Sequence, residues 1–124
     1  MKTQFHILLV DDSDIIARRV PEIFREHENI SITIVKDTIS AGEFISSVNV
    51  DLVLLDISLN GFNGLELLKE FHQNGISIPV VMLTNQATRK HRQICKNLGC
   101  YDFLDKSTEF DRLIPVVKSL MNQR

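Results

Sequence analysis

One uninterrupted apolar run constrains this chain more than any other stretch: Asp51-Leu-Val-Leu-Leu-Asp56. A strand with one face in water alternates apolar and polar residues, whereas this run has four apolar residues in succession. It is therefore typical of a central strand in a parallel sheet, which helices cover on both faces. Ligands of such sheets bind beyond the carboxyl ends of the strands, so Asp56 is a candidate functional residue.

Strand-like and helix-like segments alternate five times along the chain. The patterns predict strands at 5–10, 30–34, 51–56, 79–84 and 102–105, helices at 14–26, 38–48, 64–74 and 88–98, and a last helix capped by Ser107 or Thr108. The second strand alternates isoleucine with Ser31 and Thr33, which favours a position at the sheet edge. The order predicts an α/β fold: a doubly wound five-stranded parallel sheet with helices on both faces, forming one domain over residues 1–124.

Two local signals refine the helices. Pro21 lies inside the first helix, where it removes a hydrogen bond and is expected to kink or split the helix. Asn63 is expected to cap the third helix, with the Glu66 side chain reaching back to complete a capping box.

Composition excludes several function classes. The 124 residues are 44% hydrophobic and 24% charged with a formal net charge of −2, so we expect one globular domain and no direct binding of nucleic acid. No apolar run approaches the roughly 20 residues of a membrane-spanning helix, and the N-terminus does not resemble a signal peptide, so we expect no membrane insertion and a cytoplasmic location. Cys95 and Cys100 do not form a Cys-x-x-Cys motif and are interpreted as reduced, mostly buried side chains.

Polar side chains stand at the carboxyl ends of four of the five predicted strands: Asp11 and Asp12, Asp56, Thr84 and Lys106. Each alone has an ordinary explanation as a helix cap, a solvated strand end or a surface lysine. A parallel sheet brings them all to one edge, where three carboxylates repel one another unless a cation neutralises them. Oxygen ligands without histidine or thiolate suit Mg²⁺. A carboxylate beside Mg²⁺ and a lysine can accept a phosphoryl group, so the sequence indicates phosphoryl transfer.

These residues resemble the receiver domain of two-component response regulators, from Ile7 to Leu120. The resemblance implies a flavodoxin-like sheet in the order 2-1-3-4-5. It implies that Asp56 is the phosphoacceptor and that Asp12 binds Mg²⁺ directly, with Asp11 acting largely through water. The Ser58 backbone carbonyl and Asp56 itself are further implied metal ligands. Thr84 matches the family's switch hydroxyl, Phe103 its switch aromatic residue and Lys106 its lysine.

Four residues depart from the family pattern. Asn60 stands where the family usually has proline, Asn63 where an Asp-Gly pair is usual, Asn85 where a small residue follows the switch threonine, and Ser107 where proline follows the lysine. No catalytic group is removed. With serine in place of proline, the cis form of the Lys106–Ser107 peptide would cost about 2.5–4 kcal/mol, so we expect a trans bond.

The function that follows is a phosphoacceptor switch rather than an enzyme with an external substrate. A sensor histidine kinase or a histidine phosphotransfer protein would donate from phosphohistidine to Asp56 with Mg²⁺. Thr84 would then move toward the phosphoryl group and Phe103 would turn inward, changing the face of the fourth helix, fifth strand and fifth helix that a downstream effector binds. Dimerisation on phosphorylation is one further option. We expect either a stand-alone receiver or a piece of a longer protein.

The fourth predicted helix supplies a candidate surface for partners: Arg89, Lys90, Arg92 and Lys96, with no acidic residue among them. A solvated face is the ordinary explanation. The sharper interpretation is that the cations steer an acidic partner protein.

Three alternatives remain open. They are a receiver-like binding module that acts without phosphorylation, an aspartate-nucleophile phosphohydrolase, and a flavin carrier. The intact acidic and lysine set argues against the first. The second would place Asp-x-Asp after the first strand, and the third would need a loop there rich in serine, threonine and glycine, whereas the chain has Asp11-Asp12.

Overall fold

The computed structural model of the chain describes residues 4–59 and 61–123, so Asn60 lies outside the described residues. The strands are β1 Phe5–Val10, β2 Ile30–Val35, β3 Leu52–Leu55, β4 Ser58–Leu59, β5 Phe62–Asn63, β6 Val80–Thr84 and β7 Asp102–Asp105. The helices are α1 Asp14–Ile23, α2 Thr38–Ser47, α3 Gly64–Gln73, α4 Arg89–Asn97 and α5 Leu113–Asn122, with a short 3₁₀ helix at Phe110–Arg112.

Five strands form one parallel sheet in the order β2-β1-β3-β6-β7. This order is the predicted 2-1-3-4-5 arrangement, and the predicted fold class is confirmed. Every residue of β3 and β6 is buried, as their unbroken apolar runs require, whereas β2 is half-buried along its length and lies at the edge.

The sheet separates two apolar cores. On one face, α1 and α5 pack against alternate strand residues through Ile16, Val20 and Leu113, among others. On the other face, α2, α3 and α4 contribute residues that include Ala41, Leu68, Phe71 and Cys95. Successive strand side chains alternate between the cores, which is why the central strands contain no exposed position.

A small antiparallel hairpin, β4 with β5, was not predicted. Gly61 in its connection has φ +76°, a conformation that glycine adopts without strain. Gly64 follows the hairpin and lies against the backbone of the central strand, where a Cβ atom would overlap the carbonyl oxygen of Asp56. The hairpin therefore fixes the chain close to the end of β3.

The end of α1 and the start of α3 differ in detail from the predictions. Helix α1 is not split at Pro21 but continues to Ile23, three residues short of the predicted end. The Phe24 amide donates to Pro21 O at 3.2 Å, so the last turn tightens and the helix ends there. Asn63 caps α3 by accepting a hydrogen bond from the Leu65 amide at 2.9 Å, as predicted, but Glu66 Oε1 lies 3.8 Å from Lys69 Nζ instead of reaching back.

The last helix lacks the predicted cap. Helix α5 begins at Leu113 directly from the 3₁₀ turn, and no side chain among the described residues caps it. The amide and hydroxyl of Ser107 instead donate to Asp105 Oδ1 at 2.8 and 2.7 Å, closing a tight turn after β7.

Candidate functional site

Four polar or charged side chains are buried among the residues that the structure describes: Asp11, Asp56, Thr84 and Lys106. All four belong to the predicted site, and each stands at or just beyond the carboxyl end of a sheet strand. Backbone hydrogen bonds hold these ends in register, from the Asp56 amide to Val10 O at 3.1 Å and from the Lys106 amide to Thr84 O at 3.0 Å. The sheet thus gathers residues that are as many as 95 positions apart in sequence.

Lys106 links the two buried carboxylates. Its Nζ lies 2.7 Å from Asp11 Oδ2 and donates a hydrogen bond to Asp56 Oδ2 at 2.8 Å. Burial alone would lower the pKa of Lys106, but its contacts with Asp11 and Asp56 together raise it, so the lysine is held charged. Burial raises the pKa of Asp11, despite the lysine and a 2.8 Å hydrogen bond from the Ser13 amide.

The cluster carries more negative than positive charge. Asp11, Asp12 and Asp56 each offer a carboxylate oxygen, and these oxygens lie within 4.8 Å of one another. Lys106 is the cation that contacts the two buried carboxylates. Asp56 Oδ1 is buried and has no hydrogen-bond partner among the described residues. An all-oxygen cluster with excess negative charge and an unsatisfied buried oxygen fits a hard divalent cation.

Ser58 reaches the same site through the hairpin. In an antiparallel pair, hydrogen-bonded and non-hydrogen-bonded positions alternate. The Gly64 amide donates to Ile57 O at 2.7 Å, so Ser58, opposite Asn63, occupies a non-hydrogen-bonded position. The hairpin ladder therefore does not use the Ser58 carbonyl, and Ser58 lines the cavity above Asp56.

An open cavity of about 550 Å³ lies over the carboxylates. Its walls include the departures Asn85 and Ser107 together with Gln86. Two further lining residues, Ile15 and Arg19, were missed from the sequence. They lie four positions apart on α1, so they share one face of the helix that follows the acidic pair. That spacing could have identified them as residues beside the site.

The proposed switch residues are both buried. Thr84 is fully buried, and its Oγ1 accepts a hydrogen bond from the Gln86 amide at 3.1 Å. Phe103 is 6% exposed and already lies inward, in the core that α3 and α4 share. The guanidinium of Arg92 covers the ring, with its carbon 4.8 Å from the ring centroid, and Arg92 Nη1 donates to Phe103 O at 3.3 Å.

Arg92 also joins helix α4 to the turn after β7. Its Nη2 lies 2.7 Å from Glu109 Oε1, and the same oxygen accepts a hydrogen bond from the Asp105 amide at 2.9 Å. The hydrogen bond from Arg92 and that from the Asp105 amide hold the pKa of Glu109 below its ordinary value of 4.5. Arg112 bridges Glu109 and Asp102 at 3.2 and 3.1 Å. Arg92 is therefore engaged within the molecule.

The other three cations of the predicted partner surface, Arg89, Lys90 and Lys96, are exposed.

The prediction of a trans Lys106–Ser107 peptide is confirmed, since no cis peptide occurs in residues 4–59 and 61–123. In the same part of the chain, no helix is long and apolar enough to cross a membrane.

Comparisons with known proteins give a consistent result. The sequence profile of the response regulator receiver domain matches residues 7–118. The uncharacterized transcriptional regulatory protein YkoG of Bacillus subtilis is 30% identical over 118 residues, which are 95% of this chain and 51% of YkoG. Response regulator ArlR of Staphylococcus saprophyticus is 28% identical over 118 residues, which are 95% of this chain and 53% of ArlR. The chain thus spans about half the length of these curated relatives.

A solved structure extends the likeness to three dimensions. The receiver domain of Francisella response regulator 1452 is 25% identical, with a TM-score of 0.86 over 98% of this chain and 100% of that chain. Because the family profile spans nearly the whole sequence and this solved receiver domain is matched along its full length, the chain belongs to the response regulator receiver domains, the signalling modules of two-component systems.

Proposed function

We propose that the chain is a phosphoacceptor switch in which Asp56 takes a phosphoryl group from a phosphohistidine on a sensor histidine kinase or a histidine phosphotransfer protein. The observation that carries this proposal is the Asp56 carboxylate, with Oδ2 bonded to Lys106 and a buried Oδ1 that no described residue satisfies. A buried oxygen that the fold leaves unsatisfied is available to a ligand. In the transfer, a carboxylate oxygen forms a bond to phosphorus while the P–N bond breaks, and its electron pair stays on the imidazole nitrogen.

Asp11, Asp12 and Asp56 would hold a magnesium ion, together with the Ser58 carbonyl that the hairpin leaves unused. When bound, the ion supplies positive charge that neutralises the carboxylates and the phosphoryl oxygens. Lys106 holds its proton because two carboxylates surround it, and it adds a fixed positive charge at Asp56. Phosphoryl transfer needs positioning and charge neutralisation more than covalent participation by other groups.

Labelling with a small phosphodonor tests the proposal. With Mg²⁺ and acetyl phosphate, we expect the intact mass to rise by one phosphoryl group, and we expect no rise when Mg²⁺ is chelated. Asp56→Asn should abolish the gain, because the amide is not a nucleophile. The matched control is Asp111→Asn, an exposed carboxylate on the 3₁₀ turn, which should label as the wild type does. Equal labelling of the Asp56→Asn variant would refute the assignment, and a wild type that never labels would favour the phosphorylation-independent binding module.

Phosphorylation would act through Thr84 and the Arg92 contacts. The phosphoryl group adds about −1.5 to −2 charges and three acceptor oxygens. The Thr84 hydroxyl accepts from Gln86 and still has its own proton to donate to a phosphoryl oxygen. Phe103 is already buried, so the expected change is in the Arg92 side chain that covers it. The face formed by α4, β7 and α5 would then differ between the two states, and a downstream effector would select one of them.

Exposed cations on α4 would steer an acidic partner protein to that face. Arg89, Lys90 and Lys96 are the exposed members of the predicted surface, whereas Arg92 is held by Glu109. Charge on a rim accelerates encounter more than it sets final affinity, so the effect belongs to the association rate.

Charge reversal tests this surface. Arg89→Glu with Lys90→Glu should slow association with the cognate kinase or effector and flatten its salt dependence, while labelling by acetyl phosphate stays unchanged. Both residues lie in the first turn of α4, where negative charge is favourable, so the helix is not threatened. The control, Lys36→Glu with Lys69→Glu, changes net charge equally on other elements. An association rate that the two double variants lower equally would show that α4 has no special role.

A further inference from the structure

The C-terminal end of α4 brings two cysteines together. Gly99 has φ +83°, its amide donates to Lys96 O at 3.1 Å, and the Cys100 amide donates to Cys95 O at 3.0 Å. These two bonds define a Schellman motif, which commonly brings the side chains of its first and last residues into contact. Here those residues are Cys95 and Cys100. The spacing of five is therefore a spatial pairing imposed by the helix end.

The two sulfur atoms have unequal surroundings. Cys95 is fully buried in the core below α4, whereas Cys100 packs against the edge of that core and is partly exposed. The neighbouring Cys95 thiol lowers the pKa of Cys100, although burial and the nearby Asp102 oppose the shift. The Cys100 thiol and burial raise the pKa of Cys95. Cys100 is thus the accessible sulfur with more thiolate character, and Cys95 is the protonated partner beside it.

A metal does not explain the pair. In the described part of the chain, the acidic cluster at Asp56 is the one group of three or more side chains placed to hold an ion. Two thiols without further ligands fall short of the four ligands that a structural zinc site uses.

We propose that Cys95 and Cys100 form a reversible intramolecular disulfide when a hydroperoxide oxidises the chain. The Cys100 thiolate attacks the peroxide oxygen, the O–O bond breaks, and Cys100 becomes a sulfenic acid while the departing hydroxide or alkoxide takes a proton. The Cys95 sulfur then attacks the Cys100 sulfur, the S–O bond breaks, and hydroxide leaves with the Cys95 proton as water. Two thiols and one hydroperoxide give one disulfide, one water and one water or alcohol.

The bond would join the last turn of α4 to the residue that lies two positions before β7. Helix α4 and β7 are two of the three elements of the face formed by α4, β7 and α5, whereas the residues that contact Asp56 lie at the carboxyl ends of the strands. Oxidation would therefore act on the partner-binding face without using the phosphoryl site. The proposal stands independently of phosphorylation, because neither cysteine contacts the carboxylate cluster.

Peptide mapping after exposure to hydrogen peroxide tests the proposal. Trypsin cleaves after Lys96, between the two cysteines. We expect the intact wild type to lose two hydrogen atoms in mass and both titratable thiols, and its two tryptic peptides to remain joined until a reductant is added. Separate peptides, two retained thiols or a bond between two chains would overturn the proposal. This measurement needs no variant, so a folding defect cannot obscure it.

Single variants test the assigned order of attack. In Cys95→Ala, Cys100 should stop at the sulfenic acid and be trapped by a cyclic 1,3-diketone such as dimedone. In Cys100→Ser, the buried Cys95 should stay a thiol under the same exposure, because no accessible sulfur starts the reaction. Oxidation of Cys95 in the Cys100→Ser variant at the wild-type rate would show that Cys100 is not the first site.

Discussion

Replacing Lys106 with methionine removes the cation that contacts both buried carboxylates while keeping a similar side-chain volume. Lys106 Nζ lies 2.7 Å from Asp11 and 2.8 Å from Asp56, and these three residues are at most 8% exposed. Removing one member of a buried ion pair leaves an uncompensated charge and costs about 3–5 kcal/mol. We expect a large loss of stability in the absence of divalent cations.

Proton uptake sets a ceiling on that loss. A carboxyl group whose ordinary pKa is 3.8 takes up a proton at pH 7 at a cost of about 4 kcal/mol. If the unpaired buried charge cost more than that, one carboxylate would be protonated instead. The expected loss is therefore about 3–4 kcal/mol, out of the roughly 5–15 kcal/mol that stabilises a domain. The melting temperature should fall by about 10–20 °C.

Urea unfolding in a chelating buffer at pH 7, followed by circular dichroism, measures the loss. The matched control is Lys118→Met, an exposed lysine on α5, which should change stability by less than about 0.5 kcal/mol. Adding Mg²⁺ should narrow the difference between Lys106→Met and the wild type, because the ion replaces part of the missing charge. A Lys106→Met variant as stable as the control without Mg²⁺ would refute the reasoning that the lysine neutralises the buried carboxylates.

Two further predictions concern the hairpin and the Glu109 contacts. Gly64→Ala should destabilise the chain by about 1–3 kcal/mol and slow labelling of Asp56, because the added Cβ overlaps the Asp56 carbonyl oxygen. The control Gly42→Ala places its Cβ in open space and should not destabilise the chain. Equal urea midpoints for the two variants would contradict this prediction. Glu109 has a lowered pKa, so its ionised form stabilises the fold above pH 4.5 and that contribution is lost as pH falls through the folded-state value. Glu109→Gln should therefore flatten the acid limb of a stability–pH curve below 4.5, and an unchanged slope would show that the Arg92 contact adds nothing.

Strong local signals allowed the fold to be predicted from the sequence. The unbroken apolar runs of β3 and β6 identify strands covered on both faces, and the alternating β2 identifies an edge. Once the sheet is parallel, topology alone carries Asp11, Asp56, Thr84 and Lys106 to one edge. No pairwise contact had to be known for that step.

The features that were not predicted have both local and distant causes. The hairpin has a local signal, Asn60-Gly61 between two short segments. The missing cap on α5 also has a local cause, because Ser107 bonds to Asp105, two residues before it, rather than to the helix. The pairing of Arg92 with Glu109, in contrast, joins two elements that only the folded sheet brings together, so the charge run on α4 did not reveal which cation was engaged.

One oxygen atom, Glu109 Oε1, holds both Arg92 on α4 and the backbone amide next to Lys106. Suppose that a partner bound to α4 and a phosphoryl group on Asp56 both favour the same arrangement of these bonds. Each would then strengthen the binding of the other, and by the same factor. An effector docked on α4 would then be more than a recipient of the signal, since its concentration would set how fully Asp56 stays phosphorylated. The amount of effector present would therefore affect the phosphorylation level of such a receiver as well as respond to it.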